Sequence, residues 1–541
     1  MNAGELLRHY GRVADAPDAV VRLRRFILDL AVRGKLVPQD PRDEPAPIPS
    51  GHGRDLDEAV TPFEIPSSWA WVNVGAVAEA RLGKMLDRGK NKGLPRQYLR
   101  NVNVRWFDFD LSDLLTMKFE DAELPEFALR VGDVLICEGG EPGRAAVWDN
   151  RATDVHFQKA LHRVRFTPAV DSTFFVLALR SSADDGRVAE YFTGTGIRHF
   201  TGKALDAYGF PLPPLAEQHR IVAKVDELMA LCDRLEAARA QREAARDRLA
   251  RSCLSRLDTP DPETFREDAR FALDALPALA ARPDQIKRLR QTILNLAVRG
   301  RLVPQDSSDQ SASDLLIRIA NDKAPTAVNR GKPGRDKSAV LPKGAWPFMP
   351  PAGWAWVAFG DIVKSRDGDR IPVSREERNG RAKVYDYYGA SGVIDKIDKY
   401  LFDKPLLLIG EDGANLVNRS TPIAFIARGK YWVNNHAHVL DALSEEMLRY
   451  LELFINATDL MPYITGTAQP KINQAKMNSI PVALPPLAEQ SRIVAKVDEL
   501  MALCDRLEAS LQRADEHRRR LLEALLHQAL EPAASLEEQV A

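Results

Sequence analysis

Two separate stretches of the chain concentrate residue types that bond to the edges of nucleic-acid bases. Arginine, asparagine and glutamine make paired hydrogen bonds to bases, while lysine and arginine also contact phosphates. In the first stretch the candidates for DNA contact are Arg96, Arg100, Asn101, Asn103, Arg105, Arg144, Lys159 and Arg198. In the second stretch they are Tyr387, Tyr388, Arg419, Asn434, Asn435, His436, Gln469 and Lys471. Such residues are common on protein surfaces, so this pattern alone does not establish DNA binding.

No catalytic motif accompanies these residues. The sequence has no Walker A loop, no Asx-Pro-Pro-aromatic tetrapeptide of an amino-methyltransferase and no glycine-rich signature for a nucleotide or for S-adenosylmethionine. Glu138, Glu411 and Asp412 lie beside glycine-rich turns without a matched basic partner in sequence, which favours solvated turn acids over catalytic acids. His436 and His438 have no third ligand placed with them, which favours a structural or base-contacting role over metal binding. We therefore predict a non-enzymatic chain that itself holds no metal or cofactor.

The composition indicates a large globular protein with several domains. The chain of 541 residues is too long for a single hydrophobic core. Of its residues, 45% are hydrophobic and 28% are charged, as in globular proteins. With a formal net charge of −1, any contact with nucleic acid must use local basic patches. Four cysteines without CxxC spacing argue against zinc and against disulfides. The N-terminus lacks an apolar signal region and no run is long enough to span a bilayer, so we expect a cytoplasmic protein without membrane contact.

The elements that must position the candidate side chains occur twice. Residues 212–237 recur at 484–509 with a single exchange, and residues 22–40 recur at 288–306 with four changes. The segments between these repeats do not resemble each other. Constant sequence around divergent sequence indicates one repeated frame (these four ranges) that carries two different heads.

Composition also predicts the domain boundaries. We expect an N-terminal helix and linker (1–60), a first head (61–211), a central helical region (212–306), a basic linker (307–345), a second head (346–483) and a C-terminal helical region (484–541). The basic linker is interpreted as a solvated tether, with phosphate contact as the alternative. Its basic residues are Lys323, Arg330, Lys332, Arg335, Lys337 and Lys343.

Hydrophobic spacing predicts the type of each element. Helical periodicity near residues 19–33 and 286–297 stops at Gly34 and Gly300, and a proline follows in each copy. Each head opens with alternating large apolar residues typical of a strand, and each contains a buried strand that runs into a glycine-rich turn. A long helix follows each Pro-Pro pair. Both heads are therefore expected to share one α/β fold.

Apolar residues in the two long helices are spaced four and three residues apart, which favours a coiled coil. Two nearly identical seams would pack most simply on each other, antiparallel, around a pseudo-twofold axis. Packing of each seam on a separate subunit is the alternative. The first arrangement predicts that Val225, Leu228, Val497 and Leu500 are buried between the two helices. The predicted fold class is α+β, with two α/β recognition domains joined by an antiparallel coiled coil.

Motifs in both repeats resemble the specificity subunit of type I restriction–modification systems, and the resemblance covers nearly the whole chain. It rests on LPPLAEQ with IVxKVDELM at 212–229 and 484–501, on AVRG(K/R)LVPQ at 31–39 and 297–305, and on GTAQPKI at 466–472. The first head departs from the last of these elements, because residues 194–200 read GTGIRHF instead.

The resemblance implies a non-catalytic subunit whose two target recognition domains each read one half of a bipartite site in double-stranded DNA. The helices would set the spacing between the halves and dock two modification subunits, which bind S-adenosylmethionine and methylate adenine. Restriction subunits that use ATP and Mg can join the complex. The alternative is a coiled-coil adaptor that does not bind DNA, which explains the near-identical helices but not the divergent heads.

Repeated polar residues of the long helices are the candidates for partner docking. They are expected to face the partner subunits or to cap the helix starts, although recent gene duplication would also explain their identity. The candidates are Glu217, Lys224 and Asp226 with their copies Glu489, Lys496 and Asp498.

Overall fold

The computed structural model divides into two units, each of which contains one head. The first unit is Met1–Arg242 with Asp515–Ala541, and the second is Glu243–Ala514. The structure describes residues 15–16, 18–47, 62–87, 89–258, 261, 263–323, 340–342, 344, 346–466 and 469–530. Five basic residues of the predicted tether lie outside the described residues, namely Arg330, Lys332, Arg335, Lys337 and Lys343.

The first unit combines a short helix, a mixed head and the start of a 44-residue helix. Its helices are α1 (Ala19–Val32), α2 (Val74–Val77), α3 (Leu124–Phe127), α4 (Ser172–Asp184), α5 (Gly202–Asp206) and the long α6 (Leu215–Asp258), which ends in the second unit. Its strands are β1 (Ala70–Asn73), β2 (Ala78–Leu82), β3 (Leu94–Leu99), β4 (Val104–Arg105), β5 (Asp108–Phe109), β6 (Leu115–Phe119), β7 (Val134–Cys137), β8 (Ala145–Val147), β9 (Val155–Phe157), β10 (Leu161–Phe166) and β11 (Gly209–Leu212).

The second unit repeats this order after a helical insertion. Its helices are α7 (Phe265–Asp274), α8 (Leu276–Leu279), α9 (Pro283–Val298), α10 (Ala312–Lys323), α11 (Phe359–Ile362), α12 (Arg375–Asn379), α13 (Asn415–Asn418), α14 (Glu445–Ala457), α15 (Gln474–Asn478) and the long α16 (Leu487–Leu530), which ends in the first unit. Its strands are β12 (Ala355–Ala358), β13 (Lys364–Ser365), β14 (Tyr385–Gly389), β15 (Gly392–Ile397), β16 (Leu406–Gly410), β17 (Ala424–Ala427), β18 (Tyr431–Val433), β19 (Ala437–Asp441) and β20 (Pro481–Leu484).

Three sheets of the two heads have the same topology, and the first head adds the short β4–β5 pair. Four-stranded sheets run β2-β10-β7-β8 in the first head and β13-β19-β16-β17 in the second. Three-stranded sheets run β6-β3-β9 and β15-β14-β18, and in both the central strand has one antiparallel and one parallel neighbour. The entering and leaving strands also pair alike, β1 with β11 and β12 with β20. The prediction that the divergent heads share one α/β fold is confirmed.

Each short helix ends at a glycine that allows the head to approach closely. Gly34 and Gly300 have φ of +67° and +66°, a conformation that glycine adopts without a steric penalty. A Cβ on either residue would lie 2.4 Å from a proline ring carbon, that of Pro66 or of Pro351. These prolines precede the strand that opens each head. Both copies of the repeat therefore need glycine here, because only glycine leaves room for the proline ring.

The apolar seams of the long helices are covered within their own units. Val225 lies in a cluster with Ile27 of α1 and Trp69 of the first head. Val497 lies in a cluster with Ile293 of α9 and Trp354 of the second head, and Leu228 and Leu500 pack against these same two clusters. The prediction that the four seam residues are buried between the long helices is wrong, because the repeated short helix and the head cover them first. Pairing of the long helices with each other stays a prediction.

The stretch expected to be a basic tether begins with a helix. Ala312, Leu315 and Ile319 of α10 are buried in the main apolar cluster of the second unit. Their spacing of three and four residues is typical of a helix. The prediction of a tether missed this pattern because it relied on the basic residues later in the same segment.

The four cysteines are free and buried, and burial raises the pKa of the Cys137 thiol to about 11. No helix within the described ranges is long and apolar enough to cross a membrane. Nor do those ranges hold a group of three or more His, Cys, Asp or Glu side chains that could bind a metal ion.

Candidate nucleic-acid interface

A hairpin closed by the same pair of backbone hydrogen bonds stands near the end of each head. In the first hairpin (Thr193–His199) the terminal residues exchange backbone hydrogen bonds of 2.9 and 2.8 Å, and in the second hairpin (Thr465–Lys471) both bonds are 2.8 Å. Gly194 and Gly466 follow with φ of +102° and +83°. The departure of the first head from the GTAQPKI element therefore changes side chains rather than this backbone closure. Residues 467 and 468 of the second hairpin lie outside the described residues.

Each hairpin is tied to the glycine-rich turn after a central strand. The residue after the first hairpin, Phe200, donates its N–H to the carbonyl of Glu138 at 2.8 Å. Ile472 donates in the same way to Glu411 at 2.8 Å. The N–H groups of these glutamates donate in turn to the turns after β9 and β18, at 2.9 and 2.8 Å. Three loops thus meet in each head, and we call them the loop cluster: the glycine-rich turn, the turn after β9 or β18, and the hairpin.

Charged side chains support the loop cluster of the second head. Glu411 has a side chain only 12% exposed and forms ion pairs with Arg370 at 2.9 Å and with Lys471 at 3.0 Å. Burial raises the pKa of Glu411, but the hydrogen bonds from these two cations outweigh burial and lower it. The expectation that Glu411 is a solvated turn acid is wrong. Its basic partners come from residues 41 positions upstream and 60 downstream, where local sequence cannot show them.

Several predicted contact residues are exposed in the loop clusters. The first cluster presents Lys159 and Arg198, and Ile197 beside Arg198 is 73% exposed. The second cluster presents Asn435 and His436 in the turn after β18, and Gln469 and Lys471 in the hairpin. His436 lies 2.9 Å from Asp412 of the glycine-rich turn. Separate parts of the sequence thus place exposed polar groups on the same three loops.

Four predicted contact residues are used by the fold itself. Asn103 is 2% exposed, and its amide bonds to the backbone of Arg100, Asp110 and Asp113. The hydroxyl of Tyr387 bonds to the backbone of Val373, and Asn434 accepts the N–H of His436. Arg419 donates to the carbonyls of Asn456 and Thr458 at the end of α14, where a cation also complements the helix dipole. The fold therefore already uses the amide of Asn103, the hydroxyl of Tyr387, the side-chain oxygen of Asn434 and two nitrogens of Arg419.

The other candidates are partly engaged with neighbouring residues. Arg96 pairs with Asp154, Arg100 with Asp113 and Arg144 with Glu141, at 2.5, 2.6 and 2.6 Å. Asn101 donates to the carbonyl of Gly139, and Tyr388 stacks on Phe425. Arg105 is the most exposed of these side chains, with 52% accessible and an ion pair of 3.5 Å to Asp110. Arg105 therefore keeps the capacity for an external contact.

The repeated glutamates of the long helices face inward. Glu217 accepts hydrogen bonds from Gln39 at 2.6 Å and from the indole N–H of Trp69 at 3.0 Å. Its copy Glu489 accepts from Gln305 at 2.6 Å and from Trp354 at 2.8 Å. Both glutamates are 1% exposed, and burial raises the pKa of each. The expectation that they face partner subunits is wrong, because each ties the LVPQ motif and the first tryptophan of a head to the long helix.

Other residues at equivalent places in the two copies also form matching ion pairs. Arg220 pairs with Asp43, and Arg492 with Asp309, each with a shortest distance of 2.6 Å. Arg24 of α1 pairs with Asp233 and Glu236 of α6, while Arg290 of α9 pairs with Asp505 and Glu508 of α16. Internal contacts therefore account for much of the near-identity between the repeats.

The remaining docking candidates lie at the surface. Lys224 and Lys496 have side chains 40% and 41% exposed, and each pairs with the glutamate three residues later. Asp226 and Asp498 are exposed. Asp498 pairs with Arg449 of α14 at 2.7 Å, whereas Asp226 has no ion pair within the described part of the chain. These four residues stay available for a partner.

Sequence reasoning missed Asp367 and Arg370, which help to hold the loop cluster of the second head. Neither belongs to a motif, so only the fold brings them to Glu411. It also missed the pairing of repeated polar residues with one another. That signal was present in the sequence, because Gln39, Trp69 and Glu217 all recur at matching places in the second copy.

Comparison with known proteins places this architecture in a family. The model of the "Type I restriction modification DNA specificity domain" family matches residues 66–243 and 351–514, which is more than half of the chain. The chain is 26% identical to the type I restriction enzyme EcoEI and EcoAI specificity subunits of Escherichia coli, over 94% of this chain and 94% of each relative.

One solved structure is similar over most of the chain. The HsdS subunit from Thermoanaerobacter tengcongensis is 18% identical, covers 86% of this chain and 98% of its own, and has a TM-score of 0.44. The family assignment rests on the family model and the full-length relatives. The chain belongs to the type I restriction–modification DNA specificity family, the non-catalytic specificity components of these systems.

Proposed function

We propose that each head reads one half of a bipartite site in double-stranded DNA, and that the long helices dock two methyltransferase subunits. The observation that carries the proposal is a frame held by the same contacts twice, around two loop clusters that differ in their exposed side chains. A complex that applies one chemistry to two different half-sites requires this combination. S-adenosylmethionine, ATP and Mg would be bound by the modification and restriction subunits, and the complex would act in the cytoplasm.

DNA contact is assigned to the exposed residues of the loop clusters. In the first head these are Lys159 and Arg198. Arg105 lies outside the loop cluster, but its side chain is exposed and is assigned to DNA contact as well. In the second head they are Asn435, His436, Gln469 and Lys471. Arginine and glutamine suit guanine and adenine edges respectively, whereas lysine suits phosphate. Asn103, Tyr387, Asn434 and Arg419 bond within the fold and are removed from the contact set.

Partner docking is assigned to the outer face of the long helices. This face is identical in both copies, and within the described residues its ion pairs are those of Glu227 with Lys224 and of Glu499 with Lys496 on the same helix. Helical spacing places its residues within one stripe opposite the buried seam. Leu231 and Leu503 stand in this stripe with 39% and 37% of their surface exposed. The full stripe is Ala223, Glu227, Ala230, Leu231 and Arg234 with the copies Ala495, Glu499, Ala502, Leu503 and Arg506. Lys224 and Lys496 flank it.

Genome-wide mapping of methylated adenine tests the DNA assignment. The chain would be expressed with its modification subunits, and the variants Arg198→Ala and Gln469→Ala would be compared with wild type. Each variant should lower methylation about 10- to 100-fold, or relax one base position, in a single half-site, because a paired base contact contributes about 1–3 kcal/mol. Lys287→Ala is the control, since Lys287 is an exposed cation of α9, outside both heads.

Loss of specificity in both halves from either single variant, with assembly intact, would contradict separate reading. A methylated site that never depends on either head would favour the adaptor function instead.

A further inference from the structure

Two histidines hold the ends of the two hairpins to the sheet. His162 on β10 places Nε2 at 2.8 Å from the carbonyl oxygen of Phe200, and His438 on β19 places Nε2 at 2.9 Å from that of Ile472. A carbonyl oxygen only accepts hydrogen bonds, so Nε2 carries the proton in both rings. Both rings are almost fully buried, with 1% of each residue exposed.

The other ring nitrogen distinguishes the two heads. Nδ1 of His438 lies 2.6 Å from one carboxylate oxygen of Asp367, whose second oxygen accepts the N–H of Val439 at 2.8 Å. An ionised carboxylate also only accepts, so both nitrogens of His438 donate and the ring is an imidazolium cation. Opposite His162, the neighbouring strand presents Leu82. No carboxylate bonds to Nδ1 of His162 within the described residues.

The charges around His438 favour the cation. Asp367 faces the ring from the turn after β13, and Glu411 faces it from the turn after β16, with its carboxylate 3.9 Å from Nδ1. The nearby cations Arg370 and Lys471 are both paired to Glu411, and Arg370 also lies 3.6 Å from Asp367. Two carboxylates therefore share three cations, one of which is the imidazolium.

The pKa directions agree with this geometry. Burial lowers the pKa of His438, but the hydrogen bonds to Asp367 and Ile472 and the charges of Asp367 and Glu411 outweigh burial and raise it above its ordinary value. Burial raises the pKa of Asp367, and the bond from His438 reverses that direction. In the first head burial prevails, and the pKa of His162 is lowered.

Building on the proposed role of the hairpins in DNA reading, we infer that His438 is a positioning residue that must be protonated to hold the second hairpin, whereas His162 holds the first as a neutral ring. Because the folded pKa of His438 is raised, its contribution is complete below the ordinary value of 6.5 and is lost as pH rises through the raised pKa. The second hairpin therefore loosens in alkaline solution and the first does not.

Hydrogen–deuterium exchange of the full-length chain, corrected for intrinsic rates, measures this difference without DNA. From about pH 6 to about pH 9, exchange in residues 465–472 should rise roughly tenfold, because a charge-assisted hydrogen bond is lost. Exchange in residues 193–200 should stay constant. His438→Gln should expose the second hairpin at every pH, since one amide cannot donate to both Asp367 and Ile472 in the same geometry. His162→Gln is the matched control, since one donor suffices there.

The variant Asp367→Asn distinguishes an effect of the protonation of His438 from an effect on folding. The asparagine oxygen still accepts from Val439, and its NH2 donates to an unprotonated Nδ1 of His438, so a neutral ring keeps its bond to Ile472. This variant should hold the second hairpin equally at both pH values. A rise of equal size in both hairpins of wild type, or a rise that persists in Asp367→Asn, would overturn the inference.

Two further readouts complete the test. Nuclear magnetic resonance of the wild-type chain with isotope-labelled histidine should show both ring nitrogens of His438 protonated at a pH where His162 carries one proton. One proton on each ring would overturn the inference even if no variant folds. Mapped methylation then separates the two proposals: exchange as expected, with second half-site reading unaffected by pH, would leave His438 as an anchor and remove the hairpin from DNA reading.

Discussion

The two heads hold equivalent hairpins by different chemistry, whereas the two copies of the frame use the same contacts. His438 faces Asp367 in the second head, and the matching position in the first head is Leu82. In the frame, Glu217 and Glu489 each accept from a glutamine and a tryptophan, with the glutamine bond at 2.6 Å in both copies. At these positions of the frame, sequence identity between the copies thus accompanies a contact that is made twice. Divergence marks loops whose backbone is kept while their side chains vary.

The largest expected effect comes from breaking the paired glutamate anchors. Glu217→Ala and Glu489→Ala each leave one buried indole N–H and one surface glutamine amide without an acceptor, which should cost about 1–3 kcal/mol of unfolding free energy. Urea denaturation followed by tryptophan fluorescence checks this, because Trp69 and Trp354 are donors in the two anchors. Equal losses at the two sites are expected, since the contacts match.

The conservative variants Glu217→Gln and Glu489→Gln are the controls, because they keep an acceptor and should lose less. A large loss at one site with none at the other would show that the two copies of the frame are not energetically equivalent. Matched internal contacts would then not explain why the two copies are identical.

A smaller effect, on assembly rather than stability, is expected on the outer stripe. Leu231→Arg and Leu503→Arg should each weaken binding of one modification subunit about tenfold, because a charge replaces an apolar contact at a docking surface. Native mass spectrometry should show complexes with one modification subunit for either variant, and circular dichroism should show unchanged folding. Wild-type assembly of the double variant would leave gene duplication as the better explanation for the identity of this stripe.

Much of the fold was predictable because hydrophobic spacing is a local signal. The short helices, the strands that open the heads and the long helices after Pro-Pro all appear where the spacing indicates them. The shared topology of the heads followed from matching strand-and-turn patterns. What covers a seam could not be predicted in this way. Periodicity shows that Val225 and Val497 are buried, but not that α1 and α9 reach them before another long helix does.

The candidate site was only partly predictable, because residue type shows capacity for hydrogen bonding but not whether that capacity is already used. Asn103 and Arg419 have suitable side chains for DNA, yet the fold consumes them. Glu411 looked isolated because Arg370 and Lys471 are distant in sequence. By contrast, Arg198 and Gln469 are exposed and lie in the two hairpins that begin beside Gly194 and Gly466, and their contact with DNA stays a prediction.

The most direct test of the central claim is a chain that carries the first head twice. Residues 70–212 would replace residues 355–484, so that the matching β1–β11 and β12–β20 pairs join the same frame in both places. Mapping of methylated adenine in cells that express this chain with its modification subunits should reveal a site of two identical halves, each equal to the half read by the first head. A site whose second half is unchanged, or a correctly assembled complex in which both halves are new, would contradict independent reading by two heads on one repeated frame.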